Sequence, residues 1–290
     1  WCVMSWFPGE CLRRSRGIAL VSVLWVIALL TVVASGLSAS VRSELQVVSN
    51  TAASMQARYA TESGVELAAM NLIYPQSVRW PADGSIRDVD IGTAKLRIAT
   101  WDETGKVDLN HAPANLLANL LVTAGVDPGE ADLLVDAILD WRDTDDFRRL
   151  NGAEGSDYRV AGLDHEPRDA PFETVDELRF VLGMTEEIYA AIEPALTVYS
   201  GRSGVNASVA SQQVSQALQG LQDVATVTSG TTYTIQIEAR VDNTIVSQVE
   251  ATIDVTFNGM GRPFSVLHWR QPGDRLFPDP PDDAFQEQRL

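Results

Sequence analysis

The sequence predicts an α+β fold: a long N-terminal helix packed on an antiparallel sheet, with a large all-α segment inserted between strands. Three observations predict it. An uncharged apolar run from Ile18 to Val41 leads into an amphipathic stretch that lasts to Tyr74. Short alternating runs stand at both ends of the remaining chain, and between them the apolar spacing is helical.

The first element is a helix in two halves. Ile18–Val41 is long enough to span a bilayer, which takes about 20 apolar residues. Arg13, Arg14 and Arg16 precede it and, by the positive-inside rule, hold that end in the cytoplasm, so the bulk of the chain is exported. Beyond Arg42, Leu45, Val48, Ala52, Met55 and Tyr59 keep helical spacing, Val65, Ala68, Ala69 and Leu72 continue it, and Pro75 ends it.

The strands come next. Ile86–Ile91 and Ala94–Trp101 alternate with period two and form a hairpin around Gly92. Tyr233, Ile235, Ile237, Ala239 and Val241 alternate with polar neighbours, Asp242-Asn243 turns the chain, and Val249 to Phe257 alternate again. A last strand runs from Phe264 to Trp269, and the Pro- and Asp-rich tail over 271–290 is expected to be disordered. The inserted segment, 102–230, reads as helices over Ala112–Thr123, Glu130–Trp141, Val175–Leu182, Glu186–Leu196 and Ser208–Leu218.

Composition narrows the chemistry. The whole chain carries a formal charge of −17, and without Arg13, Arg14, Arg16 and Glu10 the part beyond Gly17 stands at −19. That part repels phosphate backbones and is a poor nucleic-acid binder and a ready attractor of divalent cations. Cys2 and Cys11 both precede Gly17, which leaves no disulfide for the rest. His111, His165 and His268 are scattered with no thiolate to complete a zinc site, and no nucleophile elbow, P-loop or dinucleotide fingerprint is present. The reading is therefore non-enzymatic. His111 is expected to cap or pack near Asn110. Tyr158, Phe172 and Phe180 are expected to anchor the helical core, with Trp25 facing lipid or a partner helix.

The densest acidic cluster is Asp140, Asp143, Asp145 and Asp146, followed by Glu154 and Asp157. Hard oxygen ligands gathered on a bend at Asn151-Gly152 suit calcium better than magnesium. The expected metal set is Asp140, Asp143, Asp145, Glu154 and Asp157, against the plainer reading of a solvated acidic loop. Paired carboxylates also admit a glycosidase reading with Trp101 or Trp141 stacking on sugar.

Three readings of the N-terminus compete. A secretory signal would be cut near Ala34-Ser35-Gly36 or Ser38-Ala39-Ser40. A plain anchor explains the hydropathy alone. A prepilin-type leader over 1–17 needs basic residues and then Gly before the apolar run, and Arg16-Gly17-Ile18 supplies them, with processing between Gly17 and Ile18.

At this point the chain resembles type IV pilins and type II secretion pseudopilins. That family carries Glu at mature position five, and here position five is Ser22. The departure matches the pseudopilin K family, which resembles this chain in lacking that Glu; a tip subunit has no neighbour above it whose amine needs a partner. Further likeness lies in Asp102-Glu-Thr-Gly-Lys-Val-Asp-Leu-Asn110, Ile138-Leu-Asp-Trp-Arg-Asp-Thr-Asp145, Gly152-Ala-Glu154 with Tyr158, Pro171-Phe-Glu-Thr-Val-Asp-Glu-Leu178, Gly183-Met184 and Val205-Asn206. The resemblance implies a pilin helix and sheet around a calcium-bearing helical domain, and a minor pseudopilin at the tip of the secretion filament. It also implies prepilin peptidase, the inner membrane and minor pseudopilins I and J as partners, a periplasmic head, and N-methylation of Ile18. The alternatives are a tip minor pilin of a type IV system, a membrane-tethered periplasmic enzyme, and a helix-hairpin-helix DNA binder. The last is suggested by Val107-Asp-Leu-Asn110 and Gly204-Val-Asn206, each leading into a helix.

Overall fold

A computed structural model describes residues 18–75, 78–222, 224–228, 230–241, 244–256, 263–273 and 276–278. Gly17, Asp242-Asn243 and Phe257 lie outside the described residues. The chain divides into two units, 1–55 and 56–290.

In the first unit the described residues belong to helix α1, assigned over Ile18–Ile73. Its apolar side chains from Leu20 to Leu37 are exposed, Trp25 and Ser22 among them. Hydroxyls in this stretch turn back onto the helix: Thr31 Oγ1 donates to Ala28 O at 2.8 Å and Ser35 Oγ to Thr31 O at 2.7 Å. Such bonds satisfy groups that a bilayer would leave unpaired. Among the described residues α1 is the one helix long and apolar enough to cross a membrane.

The second unit begins on the same helix. Ala57, Ala60, Thr61, Val65, Ala68, Ala69 and Leu72 are buried at helical spacing. Small residues let this face lie close to a sheet: a Cβ on Gly64 would stand 2.9 Å from both Ile237 Cδ1 and Leu96 Cδ1. The sheet is antiparallel, in the order β1-β2-β5-β6-β7, with strands Arg87–Ile91, Ala94–Asp102, Thr232–Val241, Thr244–Asp254 and Ser265–Arg270. The expected hairpin turns on Gly92 at φ +61°, a conformation that costs glycine nothing. Strand β5 pairs with β2 at one edge and β6 at the other, joining the two ends of the second unit, with Ile98 opposite Ile237. Leu96, Ile98, Ile235, Ile237, Val249 and Ile253 are fully buried.

The segment expected to be a disordered tail is in part packed. Phe277 is buried, the Arg97 guanidinium lies 5.4 Å from its ring centre, and Arg97 donates to Pro278 O at 2.6 Å. A cation over an aromatic face and a charge-assisted bond hold these residues against β2.

Between β2 and β5 the chain is mainly helical: α2 (Ala114–Thr123), α3 (Pro128–Arg142), α4 (Gly155–Val160), α5 (Glu186–Ile192) and α6 (Gln212–Ala217). Asp127 starts α3 two residues before the expected Glu130, its carboxylate accepting the Gly129 N–H at 2.9 Å with Pro128 in the first turn. Val175–Phe180 is a 3-10 helix instead of an α-helix. Glu186–Leu196 stops early at Pro194, passes through a 3-10 turn and ends in a strand. That strand, β4 (Leu196–Thr197), pairs in parallel with β3 (Val107–Asp108), a small sheet within the helical segment. Helix α6 begins later than Ser208 because Asn206 Oδ1 takes the Ser208 N–H and hydroxyl, and Ser211 Oγ caps the Val214 N–H. Leu116, Leu120, Leu134, Ile138, Leu178 and Ile192 centre the core. Tyr158 and Phe172 are buried in it as expected, but Phe180 is 53% exposed and sits outside the core, edge-on to His165 with ring centres 5.5 Å apart.

Candidate metal centre

The site is built on the end of α3 and the loop after it. Asp140 is fully buried and Gly152 lies against its carboxylate, where a Cβ would collide. Its charge is met by Arg149 and by the Ala153 backbone: Arg149 N donates to Asp140 Oδ2 at 3.2 Å, and Arg149 Nε lies 3.2 Å from Asp140 Oδ1. Burial nonetheless raises the Asp140 carboxyl above its ordinary range, against those bonds. Arg149 Nη2 also reaches Asp143 Oδ2 at 3.1 Å. Arg142, at the α3 C-terminus, donates to the carbonyls of Leu109 and Ala112, fixing α3 against the chain before α2.

Helix α4 supplies the next groups. Glu154 is its N-cap, and Asp157 Oδ2 accepts the Glu154 N–H at 3.0 Å. Asp157 Oδ1 pairs with Arg148 Nη1 at 2.9 Å, and the Glu154 N–H bond leads the causes that lower its carboxyl. Both oxygens of Asp157 are thus engaged in capping and an ion pair. Asp145 is exposed and turns its Oδ1 onto the Phe147 N–H at 3.0 Å.

What converges is a different trio. Asp146, Glu154 and Asp169 each bring a carboxylate oxygen within 4.8 Å of the others. Asp169 arrives from the loop after α4 with φ +52°, the one non-glycine residue at positive φ among the described residues. Aspartate tolerates that region, but it is held there by its surroundings. Asp143 Oδ1, Glu154 Oε1 and Asp169 Oδ1 are buried without a hydrogen-bond partner. The Glu154 carboxyl is pushed up to about 7 by burial, then by the charges of Asp140, Asp169, Asp143 and Asp146. Asp169 is raised by burial and then by Asp146, Asp143 and Glu166. Asp146 is exposed, Asp169 half-buried and Glu154 buried. Carboxylates that converge with buried oxygens lacking donors are costly, and a hard divalent cation removes that cost. The residues fit such an ion.

Of the five expected ligands, the structure keeps Glu154 in the trio and sets Asp143 beside it, while Asp140 is held by Arg149. Asp145 and Asp157 point their bonds elsewhere, and Asp146 and Asp169 complete the cluster. Asp146 belonged to the acidic run read in the sequence. Asp169 carried no local signal there, because only the folding of the 161–172 loop brings it in.

Neither enzymatic tryptophan is free for sugar. Trp141 is buried and stacked on Phe172 with ring centres 6.0 Å apart, and the Trp101 ring lies where a Gly84 Cβ would stand. The α2–α3 turn that a DNA-binding hairpin would aim at phosphate has its Gly129 N–H taken by Asp127. His111 sits beside Asn110 as expected, half exposed, with Nδ1 3.0 Å from Asp108 Oδ1.

This site falls inside residues 96–201, which match the family profile described as type II secretion system protein K. That stretch of the chain is similar to the family's own. A relative from Escherichia coli K12 carrying the protein K name is 28% identical over 210 residues, 64% of this chain and 63% of the relative. Type II secretion system protein K of Klebsiella pneumoniae is 27% identical over 205 residues, 63% of this chain and 62% of the relative. The chain thus spans somewhat less than two thirds of these relatives' length. A solved structure, the GspK–GspI–GspJ complex of enterotoxigenic Escherichia coli, has a chain with the same fold at TM-score 0.59 and 18% identity. The match covers 76% of this chain and 97% of that one.

Proposed function

We propose that this chain is a minor pseudopilin at the tip of the type II secretion filament. It joins minor pseudopilins I and J there and starts or caps the filament that exports folded proteins across the outer membrane. The observation that carries this reading is one combination in one chain. A membrane-length helix is followed by an antiparallel sheet, and the sheet is interrupted by a helical segment that matches the protein K family. Prepilin peptidase cuts between Gly17 and Ile18, N-methylation of Ile18 follows, and α1 holds the subunit in the inner membrane with its head in the periplasm. Ser22 at mature position five suits a subunit with no neighbour above it, since an unpaired carboxylate in an apolar bundle is costly. The role is structural, with no catalytic step.

Calcium belongs to this reading. Asp146, Glu154 and Asp169 would hold it, with Asp143 adjacent. The ion supplies positive charge that neutralises the carboxylates and ties the loops after α3 and α4 together.

The test is co-purification of the full chain with pseudopilins I and J encoded in the same genome. A stable three-protein complex is expected. Recovery of I and J without this chain, with all three present in the membrane, overturns the assignment.

A further inference from the structure

The loop that carries the acidic cluster also turns large apolar side chains to solvent. Phe147 is 83% exposed and Leu150 91%, although both lie among residues fixed by ion pairs and backbone bonds. Exposed apolar residues scattered singly are ordinary, but here bonds made by their neighbours hold the loop against α3 and α4, each of which exposes an apolar residue of its own. The bond from Arg148 to Asp157 fastens Phe147's neighbour to α4, and Val160, one helical turn past Asp157, is 90% exposed. The Asn151 N–H donates to Asp136 Oδ2 at 3.0 Å, which fastens Leu150's neighbour to α3. Leu133, one turn before Asp136, is 51% exposed. Two elements and the loop between them therefore present apolar side chains in the company of carboxylates. Asp136 and exposed Asp145 stand among them on a strongly acidic chain.

We propose that the surface formed by Phe147, Leu150, Val160 and Leu133 docks a segment of another polypeptide that carries apolar side chains interspersed with Lys or Arg. Charge complementarity selects this occupant. The carboxylates attract a basic segment and discourage an acidic one, while the apolar side chains supply the contact that water now covers. The proposal uses the calcium reading only for the order of the 143–153 loop.

The test uses the full chain in detergent micelles with calcium and a fluorescent peptide alternating leucine and lysine. The reference is the double variant Phe147→Ser/Leu150→Ser in the same micelles, so any binding to detergent cancels. Both side chains face water, so the variant is expected to melt at the parent's temperature. Binding to the parent is expected to be roughly tenfold tighter than to the double variant. It should weaken with salt, and a peptide alternating serine and lysine should not distinguish the two proteins. Val160→Ser, outside the loop, should shift affinity in the same direction. Equal binding to parent and variants overturns the proposal. So does an absence of peptide binding while anionic phosphatidylglycerol vesicles sediment the parent and not the variant, which assigns the surface to a membrane. Calcium content is measured on the same samples. Calcium retained without peptide binding sinks only the docking surface, and peptide binding without calcium sinks only the metal site.

Discussion

Replacing Glu154 with Gln keeps the shape of the side chain and removes its charge, and the expected result is a metal-free head that becomes more stable. The Glu154 carboxyl moves from its ordinary 4.5 to about 7, chiefly through burial and then through four neighbouring carboxylates. A folded-state value raised above the unfolded one means that stability is complete below the unfolded value and is lost as pH rises through about 7. The shift corresponds to about 3 kcal/mol withheld once Glu154 is ionised. For a domain of this size each kcal/mol moves the melting temperature by about 2–4 °C, so the chelator-treated parent should melt about 6–12 °C lower at about pH 8 than near pH 5 from this group alone. Glu154→Gln should weaken that dependence, leaving the smaller part due to Asp140 and Asp169, and melt higher than the parent in chelator at the alkaline end. Calcium should reverse the order, raising the parent and leaving the variant nearly unmoved, because the variant has lost a charged ligand. The assay is a melting curve by circular dichroism across pH, with chelator and with calcium. A variant no more stable than the parent in chelator at alkaline pH, or one that gains as much from calcium, would refute the reasoning.

Two further substitutions test the packing that holds the cluster. Gly152→Ala places a methyl group against the buried Asp140 carboxylate, which Arg149 holds in place. Overpacking of this kind costs about 1–3 kcal/mol and should lower the denaturation midpoint; an unchanged midpoint contradicts the described contact. Tyr158→Phe removes the hydroxyl that accepts the Leu182 N–H at 2.9 Å beside a fully buried ring. Leaving that donor unpaired costs about 1–3 kcal/mol, read as faster hydrogen exchange at Leu182 and a lower midpoint. No change in either would place the hydroxyl outside the network.

The strands were readable in the sequence because each alternates over most of its length, as Tyr233 to Val241 do, and a one-residue slip would turn Ile235 and Ile237 out of the core. The amphipathic half of α1 was legible at Val65, Ala68, Ala69 and Leu72, which are buried. Leu45, Val48, Ala52, Met55 and Tyr59 keep the helical spacing but are exposed, the buried face before Val65 being made instead by Ala57, Ala60 and Thr61. Short elements were not. Two residues per strand leave no period for β3 and β4, and Val175–Phe180 carries a spacing too brief to separate 3-10 from α geometry. Composition misled at the C-terminus, where Phe277 in a Pro-rich stretch finds Arg97 on a strand far earlier in the chain. The acidic run at Asp140–Asp146 drew attention to the right loop. The division of labour inside it depended on which carboxylates Arg148 and Arg149 neutralise and on the arrival of Asp169. Local sequence carries neither.

The N-terminal residue of the protein recovered from membranes is the most direct measurement. Mass spectrometry of the processed chain should find it starting at Ile18, with everything through Gly17 removed and the apolar helix retained. A chain that begins after the apolar run, near Gly36 or Ser40, or one that keeps the residues before Ile18 in the presence of an active prepilin peptidase, would contradict the pseudopilin account.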